Sequence, residues 1–256
     1  MGSKSRIAKY IVPIIQQYID DNNITEYYEL FVGGANVIDK IHCNKKYGYD
    51  LNKYLIALLQ YVQDDKLLYE SVPKELYDKA RSFYYMNLKN EQFKKDNIKD
   101  VPIFEDWEIG NIGFLASFNG RFFDGGYAKS GYEKTKNGLR FRNYYNEAKN
   151  NLLNQASNLK DIIFQVKDYR DNYDLHNCVI YCDPPYNNTK QFKNSLEFNY
   201  DEFWQVMREY SKNNIVFISE LTAPNDFECI WEKEISRSIK VNDKSRTTEK
   251  LFKYIK

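Results

Sequence analysis

Apolar residues recur at helical spacing from the start of the chain, at Ile7, Ile11, Ile14 and Ile15, which predicts an amphipathic opening helix. The basic, then apolar, N-terminus lacks a small-residue cleavage site, so it reads as this helix and not as a signal peptide. The run YYELFV (27–32) then meets Gly33, Gly34 and Ala35, the pattern of a strand entering a tight turn, with a short helix from Asn36 onward. KYGYDL follows as a short strand ending at Asp50. NKYLIALLQYV (52–62) is apolar around most of its circumference and predicts a well-buried helix. Helix, strand, glycine turn, helix, strand, helix is the alternation of a parallel α/β sheet.

The pattern then changes. Leu67 to Asn90 is helical and more polar, and Lys94 to Arg142 is loop-rich and aromatic. Tyr144–Leu159 is helical again. Alternation resumes with DIIFQV (161–166), NCVIYCD (177–183), a helix at Phe203–Tyr210, NIVFIS (214–219), CIWEKEI (229–235) and KLFKYI (250–255). The expected fold is a Rossmann-like α/β sheet of seven mostly parallel strands with a large insertion after the second. The expected division is a catalytic domain over 1–66 and 156–256 and an inserted module over 67–155. Ligands of such a sheet bind at the carboxyl ends of its strands.

Composition narrows the class. With 43% hydrophobic and 29% charged residues the chain reads as soluble and globular. No apolar run reaches the roughly 18 residues of a membrane span, so no membrane partner is expected. The net charge of +1, from 37 basic and 36 acidic side chains, leaves room for a locally basic face. Cys43, Cys178, Cys182 and Cys229 form no disulfide framework, and reduced thiols in a cytoplasm are expected. Cys178 and Cys182 read as buried strand thiols, because they lie four apart with no second pair, and the chain has only two histidines, so no zinc-ligand pattern is formed.

The strongest chemical signal is Asp183-Pro184-Pro185-Tyr186, directly after the apolar VIYC. Two prolines cannot continue a central strand, so they stiffen a turn at its carboxyl edge. Asp183 and the Pro184 carbonyl become fixed acceptors, with the flat face of Tyr186 beside them. The set suits methylation of an exocyclic adenine amine, whose lone pair is delocalised into the ring. Two acceptors on the amine hydrogens favour a tetrahedral nitrogen and free the lone pair. Tyr186 can stack on the base once it has left the helix. A second signal is Phe31-Val32-Gly33-Gly34-Ala35, where glycine lets a ligand approach the backbone. Asp50, at the end of the next strand, can accept from both ribose hydroxyls of a nucleoside cofactor; alternatively it caps the helix that follows. Lys4 can pair with the carboxylate of a methionine moiety or stand as a solvated lysine. Asp168 and Tyr169, after the third strand, either contact a cofactor's adenine ring or form a surface turn.

In this order the motifs resemble the Dam-type (alpha group) adenine-specific DNA methyltransferases, especially small phage-like members. GxK near the start, FxGxG after the first strand, an acid after the second, a target-recognition insert and DPPY correspond to Gly2-Ser3-Lys4, Phe31–Ala35, Asp50, the insert and Asp183–Tyr186. ISELTAPNDFECIW (218–231) and EKLFKY (249–254) are also similar to the family. Two features depart from it: Ala35 stands where the pattern has its last glycine, and the aromatic that often precedes GxK has no counterpart here. The resemblance implies S-adenosyl-L-methionine as cofactor, S-adenosylhomocysteine as product, and Lys4, Asp50 and Asp183 as its ligands. It implies double-stranded DNA as partner, read by the insert through Arg121, Lys129, Arg140 and Arg142. Phe122, Phe123 and Tyr127 either wedge into DNA or pack the insert, and packing is the expectation for most of them.

Rival readings are a cytosine-amine methyltransferase, an RNA adenine methyltransferase and a catalytically silent DNA-binding protein of the same fold. Asp183 in place of serine favours adenine. Transfer from a sulfonium needs no Lewis acid, so no metal is expected, and no covalent nucleophile is apparent. A bacterial or phage-encoded cytoplasmic enzyme is expected. A cognate restriction endonuclease, a solitary role, the recognition sequence and the oligomeric state stay open.

Overall fold

The computed structural model describes residues 4–89, 103–135, 138–185, 198–236 and 246–255. The chain divides into two compact units, one of Ser3–Leu51 with Asp161–Lys256 and one covering Asn52–Lys160.

The first unit is built on a seven-stranded sheet. Its strands are β1 (Glu26–Glu29), β2 (Lys45–Asp50), β5 (Ile162–Val166), β6 (Val179–Cys182), β7 (Ile215–Glu220), β8 (Phe227–Ser236) and β9 (Arg246–Tyr254), in the order β5-β2-β1-β6-β7-β9-β8. The five strands from β5 to β7 run parallel, while β9 pairs antiparallel with both β7 and β8. All four residues of β6 are buried, as a central parallel strand covered on both faces requires. The covering helices are α1 (Ser5–Asp21) and α6 (Tyr200–Ser211). Helix α1 buries Ile7, Ala8, Ile11, Ile15 and Ile19, one stripe at helical spacing, and Ile14 lies at its margin. On β7, Phe217 meets Tyr18 of α1 edge-on at 5.2 Å, whereas Val216 and Ile218 join the core under α6. Successive residues of one strand thus serve opposite helical layers, and the sheet is doubly wound as expected. Free Cys178 and Cys182 lie buried in this core.

The sequence pattern placed these strands to within a few residues. The first is shorter than YYELFV, because the chain leaves regular pairing after Glu29 to enter the glycine turn. The last two are longer than their apolar cores, because antiparallel pairing carries on through polar residues around a bulge between Cys229 and Trp231.

The second unit contains α2 (Lys53–Gln63), α3 (Lys74–Lys89), α4 (Asp106–Gly110) running into one π turn (Asn111–Leu115), a hairpin of β3 (Gly131–Thr135) and β4 (Gly138–Arg142), and α5 (Tyr144–Leu159). Asparagines fix two helix starts: Asn52 Oδ1 accepts from the N–H groups of Tyr54 and Leu55, and Asn143 Oδ1 accepts from Asn146 N–H at 3.0 Å. The loop expected over 94–142 is in part helix. Glu105 and Glu108 form a capping box that starts α4. Two glycines of this segment serve close packing. A Cβ on Gly110 would lie 2.2 Å from the Tyr54 carbonyl oxygen of α2, and one on Gly113 would lie 2.5 Å from the edge of the Phe122 ring, both too close for a real side chain. Among the described residues no helix is long and apolar enough to cross a membrane, and no group of acids, cysteines or histidines is placed to hold a metal ion.

Gly110→Ala should therefore separate α4 from α2 and cost about 1–3 kcal/mol, the usual range for an overpacked contact. Urea unfolding of the purified variant measures this; an unchanged midpoint would mean that α4 yields without loss.

Candidate functional site

The site grows from the reversal in strand order. Strand β1 lies between β2 and β6, so the turns that leave β1 and β6 emerge side by side at the carboxyl edge. After β1 the backbone stays attached to both neighbours. Leu30 N–H donates to the Tyr181 carbonyl of β6 at 3.1 Å, and Val32 N–H donates to the Tyr49 carbonyl of β2 at 2.8 Å. The turn then closes with Ala35 N–H donating to the Val32 carbonyl at 2.8 Å.

Within the turn, Gly33 (φ +48°) and Ala35 (φ +54°) are left-handed, and Gly34 is not. A Cβ on Gly33 would have only the Phe31 carbonyl oxygen nearby, at 4.0 Å, so open space lies against the backbone there. Gly33 N–H donates to Asp50 Oδ2 at 3.2 Å. The structure thus joins the glycine turn to the acid at the end of β2. The capping alternative for Asp50 is answered too, since Asn52 caps α2.

Glu29, which the sequence reading passed over, sits beneath this turn. It is almost fully buried, and its Oε2 accepts from Ile38 N–H at 2.9 Å, at the first residue of the short 3₁₀ helix Ile38–Lys40. Burial and the nearby Asp183 hold its carboxyl well above the usual carboxylate range. One charged residue inside an apolar strand was the available signal.

At the end of β5, Asp168 accepts from the backbone N–H of Arg170 at 2.9 Å and from its guanidinium at 2.9 and 2.7 Å. That guanidinium holds the Asp168 carboxyl below its ordinary range. Tyr169 is buried, with its ring 5.2 Å from Phe31 and 5.6 Å from Phe203. In the chain by itself this pair is a pinned turn whose aromatic side chain backs Phe31.

At the end of β6, Asp183 Oδ1 lies 3.0 Å from Lys4 Nζ, and Glu249 Oε2 of β9 lies 3.2 Å from the same nitrogen. Burial raises the Asp183 carboxyl from its ordinary value, the Lys4 charge opposes that rise and Glu249 adds to it. Pro184 is buried, and the Pro185 carbonyl accepts from the Tyr200 hydroxyl of α6, which pins the turn from outside. Tyr186, Gly2 and Ser3 lie outside the described residues. Burial pushes up the Cys182 thiol next to Asp183, and its sulfur packs 3.5 Å from Met207 Sδ, which makes it a core thiol and not a nucleophile.

Residues 1–217 match the family of D12 class N6 adenine-specific DNA methyltransferases. The chain belongs to this family and is an adenine-specific DNA methyltransferase. No curated protein matches the sequence. Among solved structures the chain is similar to the rRNA methyltransferase aviRa from Streptomyces viridochromogenes, at 8% identity and a TM-score of 0.42 over 97% of this chain and 84% of that one. It is also similar to SMU.472 complexed with SAH, at 9% identity and a TM-score of 0.33 over 97% of this chain and 53% of that one. Both likenesses are distant.

In the second unit of the methyltransferase, Phe122 and Phe123 are buried, and the Tyr127 hydroxyl donates to the Val72 carbonyl at 2.8 Å, so these aromatics pack the unit. Arg121 and Lys129 are exposed. Arg140 is exposed, with Nη2 3.9 Å from Glu147. Arg142 donates Nε to Glu147 at 3.0 Å and lies 3.5 Å from Glu133, so it ties the hairpin to the start of α5. The hairpin shows aromatics that the sequence reading did not single out. Tyr132 pairs with Phe141 and Lys134 with Leu139, which puts all four side chains on one face. Tyr132, Leu139 and Phe141 are 75%, 74% and 54% exposed, far more than side chains of their kind in a core.

The left-handed residues predict an asymmetry in the methyltransferase. Gly33→Ala should cost about 1–2 kcal/mol, because a Cβ opposes left-handed backbone. Ala35→Gly should stay within about 0.5 kcal/mol of the parent, since relief of the same strain is offset by glycine's greater entropy when unfolded. Thermal unfolding of both variants measures this; equal effects would show that the turn is not held left-handed in solution.

Proposed function

We propose that this enzyme transfers a methyl group from S-adenosyl-L-methionine to the N6 amine of an adenine turned out of duplex DNA. The observation that carries the reading is the convergence of two fixed features at neighbouring strand ends. One is an open glycine turn bound to Asp50, and the other is a partly buried, ion-paired Asp183 on a proline-stiffened turn.

The residues present fit the cofactor. Open space against Gly33 lets an extended ligand lie along the backbone, and Asp50 supplies a carboxylate where a ribose diol would meet it. Phe31, Gly34, Asp168 and Tyr169 would complete that side, and Lys4 would attract the methionine carboxylate. When bound, the cofactor supplies an electrophilic methyl on a sulfonium.

The chain's own task is to prepare the amine. An ionised carboxylate is acceptor-only, so Asp183 can take one amine hydrogen while the Pro184 carbonyl takes the other. Both acceptors are held in advance, Asp183 by its ion pair and the turn by Tyr200, so the reaction need not reorganise them. No amine can reach them while its base is stacked, which requires extrusion of the nucleotide. The exposed hairpin face and the cations Arg121, Lys129 and Arg140 are the parts suited to DNA, the former by stacking and the latter by phosphate attraction.

Asp183→Ala should lower methyl transfer from tritiated cofactor by at least about 100-fold while duplex DNA still binds. Single-molecule sequencing of DNA from cells expressing the parent chain should show N6-methyladenine in one sequence context. Transfer that survives in Asp183→Ala, or label that appears in structured RNA and not in duplex DNA, would refute the reading.

The double variant Tyr132→Ala/Phe141→Ala should weaken duplex binding by about 1–3 kcal/mol, the range for aromatic–base stacking, and leave the melting temperature nearly unchanged. Fluorescence anisotropy with labelled duplex measures it. Unaltered affinity would assign the exposed face to something other than DNA.

A further inference from the structure

Glu249 belongs to no motif that carries the chemistry above, yet it is tied to the centre of it. Lys4 Nζ lies between Asp183 Oδ1 of the β6 turn and Glu249 Oε2 of β9, at 3.0 and 3.2 Å. The side chains of Lys4, Asp183 and Glu249 are 13%, 18% and 9% exposed, so water and salt screen these charges little. The backbone of Lys4 is fixed as well, because its carbonyl accepts from Ile7 and Ala8 N–H at 2.9 and 2.8 Å. Its side chain is otherwise a flexible four-carbon stem with a point charge at the tip. A single carboxylate sets a distance for such a charge. Two carboxylates on different strands set its position.

We propose that Glu249 is a positioning residue for methyl transfer: it anchors the Lys4 ammonium, which in turn keeps Asp183 ionised and oriented as an acceptor. This rests on the reading of Asp183 as the amine acceptor. The need for an anchor follows from the crowding of acids. Glu249 from β9 shares the Lys4 nitrogen with Asp183, and Glu29 from β1 and Tyr181 from β6 lie close enough to feel the Asp183 charge. Burial, and after it the charge of Glu249, favour the neutral acid, which would replace an acceptor by a donor, and Lys4 works against them. Glu249 therefore acts in two senses. Its charge disfavours the Asp183 carboxylate directly, while its grip on Lys4 favours it.

Two substitutions separate these senses. Glu249→Gln keeps an oxygen acceptor for Lys4 and removes the charge. Glu249→Leu removes both. In the full chain with duplex DNA, Glu249→Gln should retain most of the turnover and move the acid limb of kcat/KM to lower pH by up to about one unit. Glu249→Leu should lower kcat by about 10- to 100-fold and move that limb to higher pH, as Lys4→Met should by about 1–3 units. Melting temperatures and circular dichroism, read alongside, identify any variant that fails to fold, and in that case the Glu249→Gln profile decides alone. The inference is overturned if Glu249→Leu keeps the parental kcat and acid limb, or if Glu249→Gln moves the limb upward. Asp183→Ala keeps the two levels apart. If it still transfers methyl groups, the reading of Asp183 fails; if it does not and Glu249→Leu behaves as the parent, only the role of Glu249 fails.

Discussion

The contact between β1 and β6 is the constraint on which the first unit depends. These strands are distant in sequence, and the second unit lies between them in the chain, yet Tyr27, Tyr28 and Glu29 pair in register with Val179, Ile180 and Tyr181. From β1 the chain winds to β2 and β5 on one side, and from β6 to β7 on the other. Adjacent turns at such a reversal point away from one another and leave a crevice between them. The Leu30 N–H bond to Tyr181 extends the pairing past the regular strand, up to the start of the glycine turn. Everything placed at the crevice inherits its geometry from that pairing: the open backbone at Gly33, the acid at Asp50 and the stiff turn at Asp183.

A crevice of this kind concentrates carboxylates, and the fold meets the cost locally. Glu29 is used as a strut, accepting Ile38 N–H from below the glycine turn, and burial favours its neutral form. Asp50 accepts a backbone N–H of the turn itself. Asp168 is neutralised by Arg170 within its own loop. Asp183 differs in having its cation delivered from remote sequence, 179 positions earlier, by the residue that opens α1. A loop that carried both charges could neutralise the acid but would occupy the space a substrate needs. A partner brought from another element leaves the Asp183 turn short.

Much of this was legible in the sequence, for a physical reason. The parallel strands are buried on both faces and so appear as unbroken apolar runs such as VIYC, and the loops after them carry glycine, proline and acids. The pairing of Gly33 with Asp50 follows from two adjacent parallel strands that end at one level. Less was legible where a residue's environment comes from tertiary contact. Gly110 and Gly113 looked like loop residues, but both are sites where α2 or an aromatic ring approaches too closely for a side chain. The hairpin Gly131–Arg142 has few strand-forming signals beyond alternation, because one face is charged and the other, though apolar, faces solvent. Glu249 opens the family-like stretch EKLFKY, but its contact with Lys4 was not legible, because it joins opposite ends of the chain and depends on β9 lying beside β7.

The departure at residue 35 shows how the same reasoning handles an exception. Ala35 occupies the position where the family pattern has glycine, and it is left-handed and fully buried. An alanine can hold this conformation at a cost of about 1–2 kcal/mol, which rigid surroundings can sustain. Those surroundings are present: the Ala35 N–H is bonded to Val32, its carbonyl accepts from Asp39 N–H at 3.3 Å, and Glu29 secures the next turn. Gly33 has no such enclosure, since its side-chain direction opens onto the space where a ligand would lie. A methyl group at 35 therefore adds strain inside the protein. A methyl group at 33 would add bulk on the open side of the turn, and that difference explains how this chain carries alanine at 35 while glycine stands at 33.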